Sequence, residues 1–158
     1  MFLRIRVDNY LCYMYKEYSP CSVLAPFIYH FWEYKGETRS GLKFNIPPHG
    51  CSDFVFIVGN AADCIRDSLI MKPYHSYFFG PMNTFTELVA HTNFIHIIGV
   101  RFRPCGLFQF IEIPLNELAN QGIDSQEFPV LFSQSFIYQL CESNQNPIDI
   151  IEHELVRQ

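Results

Sequence analysis

Through its first three-quarters the chain is written in short β-favouring runs, broken by turn residues about every 10–15 positions, the rhythm of a sandwich or barrel. FLRIRV (2–7) and YLCYMYKEY (10–18) flank Asp8-Asn9, and a further strand follows the capped turn after Pro20 and ends at Gly36. GLKFNIPP (41–48) stops at two prolines, DFVFIVGN (53–60) at Gly59-Asn60, and YHSYFFGP (74–81) at Gly80-Pro81. TFTELVAH (84–91) and NFIHIIGVRF (93–102) read as a hairpin about Thr92-Asn93. Near Pro104 the apolar period lengthens from two to about 3.6, the helical value. Helices are expected near 107–111, 115–120, 128–142 and 147–157, the last opened by Asn146 as N-cap with Pro147 behind it. The expected class is α+β: a mainly antiparallel sandwich or barrel over about 2–103, then C-terminal helices.

Composition narrows the function. With 158 residues, 49% hydrophobic and 17% charged, the chain can bury a real core and is not disordered. Its net charge of −5, without a Lys/Arg cluster, argues against nucleic-acid binding by these residues. No run is apolar enough to span a bilayer, and Arg4, Arg6 and Asp8 interrupt what would be a signal peptide's apolar stretch. A cytoplasmic protein with no membrane partner is expected. The six cysteines at 12, 21, 51, 64, 105 and 141 form no C-x-x-C pair. They read as reduced thiols, with Cys51 and Cys105 in turn contexts that expect more exposure. No His-x-His pair occurs, and His91 and His96 are too isolated to suggest a metal site. Neither a G-x-S-x-G elbow nor a phosphate-binding glycine loop is present. No metal, cofactor or catalytic centre is expected.

The stretch IIGVRFRPCG (97–106) carries the chemistry. Arg101 and Arg103 lie two apart at the end of a hydrophobic strand, so alternation sends both side chains to one face. Two cations there need an anionic partner, either the protein's own carboxylates or a ligand. In NIPPHGCSDFVF (45–56), Asp53 opens the next strand and is the favoured partner for Arg101 or Arg103. The other reading has His49 and Asp53 facing a pocket. Trp32, with Phe27 and Phe31, belongs either to the core or to a ligand platform.

Four segments then line up in order: PCSVLAPFIYHFW (20–32), IPPHGCSDFVF (46–56), FFGPM (78–82) and IIGVRFRPCG followed by IPLNEL (97–118). Together they resemble the N-terminal sensing domain of AraC-type transcription regulators. The departures are His49, where that family usually has Asp, and Cys105, where it usually has Gly. The resemblance implies a cupin-like jelly roll that senses a small-molecule effector, with no catalysis. Residues 1–126 would be the sensing domain and 127–158 a helical dimerisation or linker segment. DNA would be bound only through C-terminal helix-turn-helix units beyond these residues. A homodimer is expected through Ile148, Ile151 and Leu155, an apolar stripe at helical spacing whose other partner would be the chain's own sheet. The alternative function is a stand-alone cupin-like binding protein or enzyme.

Overall fold

The fold is that of a computed structural model, which describes residues 13–59, 62–64, 68–112, 114–127 and 131–158. The strand expected at 2–7 and its turn at 8–9 lie outside these residues. The described residues form ten strands, in chain order β1 (Tyr13–Tyr18), β2 (Ile28–Glu37), β3 (Leu42–Ile46), β4 (Asp53–Ile57), β5 (Ala62–Cys64), β6 (Leu69–Ile70), β7 (Ser76–Phe79), β8 (Thr86–Ala90), β9 (Phe94–Phe102) and β10 (Gly122–Asp124). Two helices follow, α1 (Gln134–Glu142) and α2 (Pro147–Arg157).

All the strand pairs described are antiparallel. One sheet has the order β1-β2-β9-β4-β7-β10 and the other β3-β8-β5-β6. Without its edge strands β1 and β10, the larger sheet is β2-β9-β4-β7, which faces β3-β8-β5-β6 with few sequence neighbours adjacent. That is the two-sheet, eight-stranded arrangement of a jelly roll.

Both faces of the larger sheet are covered. Phe54 and Phe56 of β4 and Ile98, Val100 and Phe102 of β9 join a core that includes Phe132, Phe136, Ile137 and Leu140 from the helical region. Their alternates Val55, Ile57, Ile95 and Ile97 pack instead with Phe44 of β3 and Ala90 of β8, between the sheets. This is why all five residues of β4 are buried and why DFVFI reads as an unbroken apolar run. A sheet wet on one side would alternate polar and apolar residues.

The helical region departs from the sequence expectations in three places. Gly106–Gln109 forms a 3-10 turn. Residues 115–120 form turns, with Glu117 N–H bonded to Pro114 O and Leu118 N–H to Leu115 O, a spacing of three that does not continue into a helix. α1 begins at Gln134 because Ser133 caps it, its Oγ accepting from Phe136 N–H at 3.2 Å. α2 has the bounds expected, with Asn146 Oδ1 accepting from Ile148 N–H. Among the described residues no helix is long and apolar enough to cross a membrane.

The stripe expected to join two copies is placed differently. Ile148, Ile151 and Leu155 are 5%, 0% and 2% exposed, in the same core as the sheet's Phe54 and Phe56. The chain's own sheet is the partner, because that face of β4 and β9 would otherwise leave aromatic surface in water. Ile151→Glu is therefore expected to unfold the domain, costing on the order of 3 kcal/mol or more. Circular dichroism and denaturant titration check this; a folded Ile151→Glu variant of unchanged stability would contradict the packing.

Candidate functional site

Register places the site. Across the larger sheet His30 pairs with Arg101 and Arg101 with Asp53, while Trp32 pairs with Gly99 and Gly99 with Val55. Alternation keeps all six on the inter-sheet side, together with Tyr34, Ile57 and Ile97. The result is a cavity of about 480 Å³ between the sheets, in the range of small-molecule sites. Its walls are mainly apolar and aromatic, among them Tyr34, Phe44, Met71, Phe79 and Ile95. At one end stand Arg101, Asp53 and His49; Tyr15, Glu17, Tyr29, His30 and Trp32 also line it.

Asp53 and Arg101 form the two-pronged bond the strand pattern favoured. Arg101 Nε–H donates to Asp53 Oδ1 at 2.9 Å, and Nη2–H donates to Oδ2 at 2.8 Å. The Asp53 side chain is 5% exposed and that of Arg101 18%. Burial by itself lowers the Arg101 pKa, but the carboxylate beside it outweighs this and raises it, so the guanidinium stays charged.

His49 closes the group from the loop before β4. Gly50 turns that loop with a φ of +65°, and His49 and Gly50 N–H both bond to Met82 O. His49 Nδ1 accepts from Cys51 N–H at 3.1 Å. Its Nε2 lies 3.5 Å from Asp53 Oδ2 and 3.4 Å from Arg101 Nη2. Burial lowers the His49 pKa, with Arg101 adding to this and Asp53 partly offsetting it. The ring is therefore held neutral.

Trp32 and Gly99 depend on each other. A Cβ on Gly99 would lie 2.0 Å from Trp32 Cε2 and 2.3 Å from its Nε1, so the indole rests on the strand only because residue 99 has no side chain. Trp32 also stacks with Tyr15 at 6.4 Å between ring centroids. Trp32 Nε1 is buried and has no hydrogen-bond partner among the described residues. His30 Nε2 is likewise buried, 3.9 Å from Glu17 Oε1, too far for a hydrogen bond.

The remaining candidates lie elsewhere. Among the described residues Arg103 meets no carboxylate: its Nε–H donates to Ala25 O at 2.8 Å and its guanidinium sits 4.4 Å from the centre of the Tyr29 ring. It follows the end of β9 and lines a separate cleft with Pro104 and Cys105, so the expected joint role with Arg101 does not form. Cys51 is buried, against expectation, whereas Cys105 is exposed. Among the described residues no group of three His, Cys, Asp or Glu side chains is placed to hold a metal. Sequence reasoning missed Tyr15, Glu17, His30 and Gly99. Only Gly99 carried a signal, a glycine inside a strong strand, which marks a close approach.

A family model described as a domain of unknown function, DUF6597, matches residues 16–124. The chain belongs to the DUF6597 family. The DUF6597 region runs from within β1 to the end of β10, so it takes in both sheets and the cavity and stops before the helices. Among solved structures, the DUF6597 chain is similar to the EutQ protein of Clostridium difficile, at 10% identity over 61% of this chain and 72% of that one, with a TM-score of 0.46. It is also similar to the plu4264 protein of Photorhabdus luminescens, at 12% identity over 69% and 94% respectively, with a TM-score of 0.43. A search of curated proteins finds no match.

Two outcomes test the polar end of the cavity. Asp53→Ala should cost about 3–5 kcal/mol, because it leaves Arg101 charged and unpaired, while adding Arg101→Leu should restore part of that loss. Denaturant unfolding of the three proteins decides it; a double variant no more stable than Asp53→Ala would count against a buried pair. Burial is the leading cause that lowers the pKa of His30, His49 and His96 in the fold. Below the ordinary histidine value the unfolded chain then binds more protons than the folded one, so stability falls as pH drops. The melting temperature should decline between about pH 7 and about pH 5, and His49→Gln should flatten the slope. A melting temperature that rises over that interval would contradict this.

Proposed function

We propose that this chain is a non-catalytic sensing domain that binds a small-molecule effector between its two sheets. In this reading it is the regulatory part of a cytoplasmic AraC-type transcription regulator, with DNA contacted by helix-turn-helix units outside these residues. The observation that carries the reading is the cavity of about 480 Å³, apolar in most of its lining and polar at one end. Two of its ionisable groups are held in place: Asp53 by both prongs of Arg101, and His49 Nδ1 by the backbone N–H of Cys51. Such groups orient a ligand more readily than they move protons. The net charge of −5 also suits a part that leaves DNA to another.

The chain has a single tryptophan, and it lines the cavity. Trp32 fluorescence therefore reports on occupancy directly. Titration with a panel of small metabolites should reveal a compound that changes Trp32 emission and raises the melting temperature in proportion to its occupancy. Val55→Phe, which fills the cavity, should abolish both responses. A compound that still acts on the filled variant would place binding elsewhere. In the full-length protein the same compound should change DNA affinity; binding without such a change would overturn the regulatory part of the reading.

A further inference from the structure

The cavity's electrostatics narrow the ligand, given the reading of the cavity as the effector site. Among the described residues that line it, Arg101 is the only Arg or Lys. Both its Nε and its Nη2 are taken by Asp53, at 2.9 and 2.8 Å. His49 and His30 are kept neutral chiefly by burial. Glu17 adds negative charge, its Oε1 accepting from Tyr15 Oη–H at 3.0 Å. Arg103, the next arginine along, is held by Ala25 O and the Tyr29 ring. An anion entering this cavity would lose its hydration and meet no uncompensated cation.

Trp32 Nε1–H is buried against the Gly99 backbone, so it gives the cavity no open donor. The rest of the wall asks for apolar and aromatic surface, from side chains such as Phe44, Val55 and Ile97.

We propose that the cavity takes a neutral, mainly apolar molecule, and that Asp53, by occupying Arg101, is the residue that bars anions. The same arginine without its carboxylate would be an anion site. Selectivity between an uncharged effector and its carboxylate counterpart thus rests on one side chain.

The test uses prodan, a neutral naphthyl ketone whose emission shifts with hydrogen bonding, and the dimethylaminonaphthoate that carries a carboxylate in place of its ketone chain. The wild-type chain should bind the ketone at least about tenfold more tightly than the carboxylate. In Asp53→Asn, the ratio of the two affinities should fall by about tenfold or more, because Arg101 is left as a free cation. Equal binding of the two probes by the wild type, or an unchanged ratio in Asp53→Asn, would overturn the selectivity. Should Asp53→Asn fail to fold, Asp53→Asn with Arg101→Gln removes both charges together. It should keep the wild-type preference, and a collapsed ratio there would refute the charge argument. If neither probe binds the wild type, the interior-cavity reading itself fails, a result distinct from loss of selectivity.

Discussion

Asp53 and Arg101 stand opposite each other on β4 and β9, the two central strands of a sheet covered on both sides. Most side chains on those strands must be accounted for in dry surroundings, on one face or the other. Apolar residues satisfy this by packing. A carboxylate and a guanidinium satisfy it only by meeting each other with good geometry. Their two-pronged bond therefore lets the strand ends carry charge without unfolding, and it sets a polar floor under an otherwise apolar cavity.

The cavity follows from the same double coverage. Helices α1 and α2 take one face of the larger sheet, with Ile151 and Leu155 buried against it. The smaller sheet takes the other, but the space between the sheets is not filled to the end. Gly99 is the point where that choice is visible. A side chain at this position would displace the Trp32 indole, so the missing Cβ sets how deeply the ring sits. Packing that favours stability would fill such a gap.

The face of β2 away from the cavity holds a second polar group. Glu33 accepts from Tyr18 Oη–H at 2.9 Å and meets His96 Nε2 at 2.8 Å. Burial would push the Glu33 carboxyl up, but these two bonds outweigh it and hold it below the ordinary range. Each of these charged groups has a hydrogen-bond partner from a neighbouring strand.

Much of this was legible in the chain. Turn residues such as Gly59 and Gly80-Pro81 and the period-two runs marked the sandwich, because backbone conformation at Gly and Pro is decided locally. Asn146-Pro147 marked the start of α2 for the same reason. The Asp53–Arg101 pair was also within reach, since charged residues at the ends of apolar strands need a partner nearby. What only the tertiary structure decided was the register between strands far apart in sequence. Register set Trp32 against Gly99, brought His30 to Arg101, and separated Arg103 from the cavity once β9 had ended. It also decided that Ile148, Ile151 and Leu155 cover the chain's own sheet. An amphipathic helix declares that it has an apolar face, but the partner for that face is chosen by whichever apolar surface the rest of the fold presents.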